Sequence, residues 1–359
     1  MRILFMAPML DYSGAPKIMT WLANRFEQDG NEVHLLTYNS KVTNKKLSKT
    51  IKQLCLDVPF EKSFLRRNFI SLPKTIAKVC DYIGKGNFDI IVTFTDTVSI
   101  LCLSLAKLFK IGKAKFFISE RSDPYTNTGK SDWIRRKMFG FADGIVFQTE
   151  EAKKYFRGKL RNALTVIPNP VIIDFYEKDA VERDNRIVSL GRLSLKQKRQ
   201  DLIIKAFAKI ADLFPYITVV LYGDGDDKYT IQEIIRTNHF EGRVLLAGVT
   251  HDVYSSIHNA RLFVMASDFE GVPNALIEAM SIGVPVISTD CSPGGAKSLI
   301  QNGENGLLVQ RGDIEALAKA IKYMLSHPQE AEKMAESAKN IRMKYAEDAV
   351  FQKWKEFVK

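Results

Sequence analysis

Cysteine is scarce in this chain. Four occur among 359 residues, Cys55, Cys80, Cys102 and Cys291, and none forms a C-x-x-C pair. A disulfide framework or a zinc ribbon needs closer spacing, so reduced thiols are expected, with Cys80 and Cys102 in apolar stretches. Histidine is equally sparse: His34, His239, His251, His258 and His327 stand apart from any motif and read as structural. No apolar run reaches the length needed to span a bilayer. Arg2 to Ala7 is apolar but short, Pro8 interrupts it, and no small-residue cleavage site follows. It reads as a buried first strand, not a signal peptide, with cytosolic residence expected. No G-x-G-x-x-G follows that strand, which argues against a dinucleotide oxidoreductase. Short repeats, low-complexity segments and nucleic-acid motifs are also missing from the pattern.

What is there suggests two domains. The length fits two at about 150 residues each, and 46% hydrophobic residues give each a normal core. The net charge of +11 is uneven: Met1–Pro170 carries 28 lysines and arginines against 15 acids, the remainder 24 against 26. A basic half can face anionic lipid or phosphate, or simply keep a solvated surface.

Short apolar runs alternate with amphipathic ones. Arg2–Ala7, Glu32–Tyr38, Asp89–Phe94, Lys115–Ser119, Gly144–Gln148 and Leu164–Ile167 read as strands, with helical patterns at Lys17–Gln28, Ile70–Ile83, Thr97–Leu108 and Asp132–Phe141. The pattern restarts after the stiff segment Ile167-Pro168-Asn169-Pro170, with strands at Ile187–Leu190, Ile217–Tyr222, Val244–Ala247, Leu262–Met265, Pro285–Ser288 and Gly306–Val309. Repeated β-then-α order with near-continuous apolar strands means parallel sheets covered by helices on both faces, an α/β fold. The tail Tyr345–Lys359 is helical by pattern, with Val350, Phe351, Trp354, Phe357 and Val358 on one face.

Ligands of open parallel sheets bind beyond the carboxyl ends of strands, so the residues there carry the functional reading. After Leu262–Met265 comes Asp268-Phe269-Glu270-Gly271-Val272-Pro273-Asn274-Ala275-Leu276-Ile277-Glu278, a turn leading into a helix near Pro273. Free amides at a helix start attract phosphate, and Glu278 inside the helix can accept bonds from a ribose diol. Each glutamate alone fits a solvated helix surface; the constellation favours a site. After Ile187–Leu190 comes Gly191-Arg192-Leu193-Ser194-Leu195-Lys196-Gln197-Lys198, where two cations can clamp a diphosphate and stabilise a leaving group. Gly223-Asp224-Gly225 follows Ile217–Tyr222, either a tight turn or room for close approach of a ligand. Asp224-Gly225-Asp226 matches a D-x-D metal pattern, but no acidic or histidine cluster supports it, so no metal is expected. In the first half, Tyr12-Ser13-Gly14-Ala15, Thr95-Asp96-Thr97 and Ser119-Glu120-Arg121 stand at strand carboxyl ends.

Together these residues resemble the retaining glycosyltransferases of family four, which have the GT-B fold of two Rossmann-like doubly wound domains facing across a cleft. Glu270 and Glu278, seven residues between them, match the family signature, and Gly191-Arg192-Leu193 with Lys198, then Gly223-Asp224-Gly225, follow in the family's order. The resemblance implies that Arg192 and a lysine hold the donor diphosphate, that Glu270 touches the donor sugar and that Glu278 holds the ribose. It further implies a donor site of Gly14, Gly191, Arg192, Lys198, Gly223, Asp224, Gly225, Glu270, Gly271, Val272, Pro273, Asn274 and Glu278. Catalysis falls to Glu270, Arg192, Lys198, Glu120 and Arg121, with Asp96 and Ser119 toward the acceptor. The lysine stands one residue further from the arginine than the family's usual spacing, which leaves Lys196 open beside Lys198. Arg121 stands where many members carry histidine, as in a subgroup that builds bacterial polysaccharides.

The expectation is therefore transfer of a hexose or N-acetylhexosamine from a nucleoside diphosphate sugar, UDP in the first instance, to a lipid-linked or glycan acceptor. No cofactor beyond that co-substrate is expected, and no nucleic acid; an anionic membrane surface is a possible partner. The expected domains are 1–168 for the acceptor, with about 345–359 crossing back to it, and 169–344 for the nucleotide sugar. Two rivals are a sugar-nucleotide epimerase of the same architecture, which would turn over without a second substrate, and a basic RNA- or lipid-binding protein, whose binding would fall steeply with salt.

Overall fold

Parallel strands need both faces covered, and the central strands Ile90–Phe94 and Leu262–Met265 are buried along their whole length. The computed structural model describes residues 1–10, 14–38, 46–57, 71–94, 97–126, 129–172 and 182–359. It divides into unit 1, Met1–Asn169 with Asp348–Lys359, and unit 2, Pro170–Glu347.

In unit 1, strands β1 (Arg2–Ala7), β2 (Glu32–Thr37), β3 (Lys52–Cys55), β4 (Ile90–Phe94), β5 (Lys115–Ser119), β6 (Gly144–Phe147) and β7 (Ala163–Val166) are ordered β3-β2-β1-β4-β5-β6-β7. Every pairing is parallel. Strand β3 escapes the sequence reading because it is an edge strand with no buried face: Lys52 and Gln53 are exposed, Leu54 and Cys55 half-buried. The other strands lie within a residue or two of their expected bounds.

In unit 2, β8 (Arg186–Leu190), β9 (Thr218–Tyr222), β10 (Val244–Gly248), β11 (Leu262–Met265), β12 (Val286–Thr289) and β13 (Leu307–Val309) are ordered β10-β9-β8-β11-β12-β13, again all parallel. Successive residues of one strand feed different cores. Ile187, Val219, Val264 and Ile287 pack with Phe207, Leu317 and Ile321 on one face. Val188, Val220, Phe263 and Val286 pack with Leu276, Met280 and Ile300 on the other.

The helix Glu347–Val358 belongs to unit 1. Trp354 is buried and stacks on Phe94 at 6.3 Å between centroids, and Phe351 meets Phe26 edge-on at 5.0 Å. Lys355 pairs with Asp29 at 2.7 Å, and Arg25 pairs with Asp348. The unit boundaries differ slightly from those expected at 168 and 345. Asn169 stays with unit 1 because its buried side chain accepts hydrogen bonds from Arg121 Nη1 and from Gln148 Nε2, the latter at 2.8 Å. Tyr345 stays with unit 2 because its carbonyl accepts from the Val171 amide at 2.9 Å.

Candidate active site

The strand order fixes where a site can form. In unit 2 the chain runs outward from β8 to β9 and β10, then returns to β11 on the other side of β8. Loops leaving β8 and β11 at such a switch point diverge and leave a crevice at the carboxyl ends. These are the loops that carry Arg192–Lys198 and Asp268–Gly271.

The first loop is held rigidly by its own backbone. The Ser194 carbonyl accepts from the amides of Gln197, Lys198 and Arg199 at 3.3, 2.7 and 3.1 Å, and this turn brings Lys198 back onto Gly191. A Cβ added at Gly191 would stand 3.1 Å from Lys198 Cε. Gln200 fixes the loop from inside, donating Nε2–H to the Arg192 carbonyl at 2.8 Å. Gly223 and Gly225 lie against the same loop: added Cβ atoms would stand 2.0 Å from the Gly191 carbonyl oxygen and 2.3 Å from that of Leu193. The close approach that requires glycine there is made by the protein's own backbone. Gly223→Ala is therefore expected to push the Gly191–Leu193 segment away and to lower the melting temperature by several degrees. Differential scanning calorimetry checks this, and an unchanged melting point would refute the packing account.

The two loops meet through Lys198 Nζ and Glu270 Oε1 at 2.5 Å, with the two side chains only 17% and 11% exposed. Arg192 and Lys196 are both exposed. Among the described residues the Arg192 guanidinium makes no ion pair or hydrogen bond. The backbone ties the loops further: the Asp268 amide donates to the Gln197 carbonyl at 2.8 Å, and Arg199 Nη1 pairs with the Asp268 carboxylate at 3.0 Å.

A third segment walls this pair, and the sequence reading did not single it out. The Glu270 amide donates to the Ser292 carbonyl at 2.8 Å, and the Ser292 amide to the Asp268 carbonyl at 3.1 Å. A Cβ on Gly295 would stand 1.7 Å from the Gly271 carbonyl oxygen. The signal was available: Pro293-Gly294-Gly295 lies just beyond β12, at the same sheet edge. Cys291 is buried beside the pair. Burial pushes its thiol up to about 12, Glu270 adding to the rise and Lys198 opposing it, so it remains protonated at neutral pH.

The helix after the second loop spans Asn274–Ile282, with Pro273 as its extended cap residue; the proline side chain makes no capping hydrogen bond. Val272 is buried in the core beneath it. Glu278 is 5% exposed, a carboxylate buried in the second turn. In the D-x-D segment, Asp224 Oδ1 accepts from the Gly225 amide at 2.9 Å and lies 3.8 Å from Lys228. Among the described residues no group of three His, Cys, Asp or Glu side chains converges to hold a metal ion.

In unit 1, Gly14 opens the helix Gly14–Gln28 after β1. Tyr12, Ser13, Thr95 and Asp96 lie outside the described residues. Ser119, Glu120 and Arg121 form one buried arrangement at the end of β5. Ser119 is fully buried and its hydroxyl accepts from Arg121 Nε at 2.9 Å. The Arg121 guanidinium lies 4.1 Å from the Phe94 ring centroid. Burial lowers it to about 9, which leaves it charged at neutral pH. Glu120 is 1% exposed. Its Oε1 accepts from the Ser122 amide at 2.8 Å and its Oε2 pairs with Arg135 Nη1 at 3.2 Å. This carboxylate is therefore engaged within unit 1.

Residues 173–341 match the family model described as Glycosyl transferases group 1. The chain is 29% identical to an uncharacterized glycosyltransferase of Methanocaldococcus jannaschii over 62% of its own length, and spans 60% of that relative. It is 26% identical, over 94% of its length and 93% of the relative, to a Campylobacter jejuni alpha-1,4-N-acetyl-D-galactosaminyltransferase named for a diNAcBac-PP-undecaprenol acceptor. The crystal structure of Anabaena HepE in complex with UDP superposes with a TM-score of 0.80 at 19% identity, covering 100% of this chain and 99% of that one. The likeness to solved structures shows that the chain has the GT-B fold. The residues that match the group 1 model, 173–341, fall within unit 2.

No helix of the described residues is long and apolar enough to cross a membrane.

Proposed function

We propose that the protein is a retaining glycosyltransferase that moves a hexose or N-acetylhexosamine from a UDP sugar to a lipid-linked or glycan acceptor in cell-surface polysaccharide synthesis. The observation that carries this reading is the Lys198–Glu270 pair at the switch point, with Arg192 exposed on the same loop. A mobile, solvated lysine would lose entropy on meeting a diphosphate; this one is already seated against Gly191. The UDP complex of HepE and the undecaprenol-linked acceptor in the Campylobacter enzyme's name support the substrate classes.

Negative charge grows on the diphosphate as the bond to the sugar breaks. Lys198, Arg192 and the start of the helix Asn274–Ile282 stabilise that charge. The acceptor hydroxyl attacks from the face the diphosphate leaves, and a diphosphate oxygen takes the hydroxyl proton. The protein supplies charge and position rather than a dedicated base. Glu270 addresses the sugar and Glu278 the ribose. Unit 2 takes the donor and unit 1 the acceptor. There Arg121 supplies a fixed positive charge, while Ser119 and Glu120 act as positioning residues, Glu120 through Arg135.

A thermal-shift screen over nucleotide sugars tests this. A ligand at 100 times its dissociation constant stabilises the folded state by about 2.7 kcal/mol, so one nucleotide family should raise the melting temperature and the rest should not. Turnover of the sugar nucleotide without an acceptor would favour an epimerase. The proposal also assigns the diphosphate charge to Arg192 and Lys198 rather than to a metal. EDTA is thus expected to leave the transfer rate unchanged; loss of activity restored by magnesium or manganese would return Asp224 and Asp226 to consideration.

A further inference from the structure

The helix Gly129–Phe139 packs on the core through Met138 and Phe139 at its end, but over its first two turns the usual polarity is reversed. Its inward stripe at i, i+3, i+4 and i+7 is Asp132, Arg135, Arg136 and Phe139, of which only Phe139 is apolar. Asp132 is 4% exposed and pairs with Arg135 at 3.3 Å and Arg136 at 3.0 Å. Arg135 also holds Glu120 and lies over the rings of Phe139 and Phe156. The outward stripe has the same spacing and reads Lys130, Trp133, Ile134 and Lys137, all exposed; Trp133 is 57% and Ile134 51% open to solvent. Water thus meets an indole and a branched aliphatic chain, while an acid and two arginines point inward. The Lys137 ammonium lies 5.7 Å from the centroid of the Trp133 ring.

We propose that this stripe docks unit 1 on an anionic lipid surface. The reasons are chemical. Tryptophan favours the headgroup level of a bilayer, where its ring is half apolar and its N–H remains wet. Lysines one turn to either side reach phosphates at the same level. The one acid on the helix is buried against two arginines and does not oppose that attraction. The basic excess of Met1–Pro170 adds a longer-range pull of the same sign. The inference deepens the reading of a lipid-linked acceptor, because the helix that carries the stripe also anchors Glu120 beside Arg121. Binding to lipid needs neither donor nor acceptor, so it is measured apart from transfer.

Intrinsic fluorescence reports the stripe directly. Of the three tryptophans, Trp21 is 7% and Trp354 1% exposed, so a change on membrane contact belongs to Trp133. With phosphatidylglycerol vesicles the emission should move to the blue, and brominated acyl chains should quench it; phosphatidylcholine vesicles should do neither at 0.15 M salt. Co-sedimentation should weaken about fivefold for each of Lys130→Gln and Lys137→Gln, and more than tenfold for the pair Trp133→Ser and Ile134→Ser. All four side chains are exposed, so these variants should keep the parent melting temperature. Vesicle binding that leaves Trp133 open to aqueous quencher would overturn the proposal, as would binding indifferent to the four substitutions. Shielding of Trp133 that grows with protein concentration without lipid would assign the stripe to self-association and overturn it too. If vesicles bind but no nucleotide sugar is used, the transferase reading fails and the docking surface stands.

Discussion

Lys198→Ala is expected to lower turnover about 10²–10³-fold, the usual cost of removing one preorganised donor from a charge that grows in the transition state. Lys196→Ala, two residues away, is expected to keep the parental rate. The contrast follows from the turn at Ser194, which folds Lys198 onto Gly191 and Glu270 and leaves Lys196 exposed. Single-turnover transfer with saturating donor separates the chemical step from binding. Loss of the nucleotide's melting-point shift in Lys198→Ala would show that the cation acts already in the ground state. A slow Lys196→Ala beside an active Lys198→Ala would reverse the assignment.

Glu278→Ala is expected to weaken nucleoside diphosphate binding about five- to 150-fold, which is the roughly 1–3 kcal/mol lost when one partner of a buried hydrogen bond is removed. Glu270→Ala is expected to keep that affinity while losing turnover. The helix begins at Asn274, so four helical steps of about 1.5 Å each separate its start from Glu278. Two carboxylates so placed address different parts of an extended nucleotide sugar. The ion pair sharpens the second expectation: Glu270 occupies Lys198, and removing it frees that cation for the diphosphate. Affinity of Glu270→Ala should therefore be unchanged or tighter. Calorimetric titration followed by a transfer assay decides between the roles. If Glu270→Ala loses the nucleotide and Glu278→Ala retains it, the roles are exchanged; if both transfer at the parental rate, this is not the donor site.

The α/β architecture was legible because buried parallel strands are short and apolar, as in Ile90–Phe94 or Leu262–Met265. Strand Lys52–Cys55 was not, because an edge strand without a buried face carries no such signature. For the candidate site, local sequence identified the loops but not their side-chain partners. Spacing favoured Lys198 but left Lys196 open; the turn at Ser194 seats Lys198 on Gly191 and leaves Lys196 exposed. Glu120 stood beside Arg121 in sequence, yet its partner Arg135 is 15 residues on, in the next helix. Gly223 and Gly225 were recognisable as points of close approach, but what approaches is a loop some 30 residues earlier. The lysine–carboxylate pair itself joins two loops across the switch point, and periodicity contains no term for that.

Unit 1 is discontinuous in the chain, and this has a consequence for the order of its making. Asp348–Lys359 leaves the ribosome after every residue of unit 2. Until then Phe26 and Phe94 lack Phe351 and Trp354, so the unit begun first is completed last. Unit 2 occupies one uninterrupted stretch and can close its own two cores earlier. The common amino-to-carboxyl order of domain folding during synthesis is thereby inverted, and the face of the unit 1 sheet still lacking its last helix is the surface a chaperone would meet on the nascent chain.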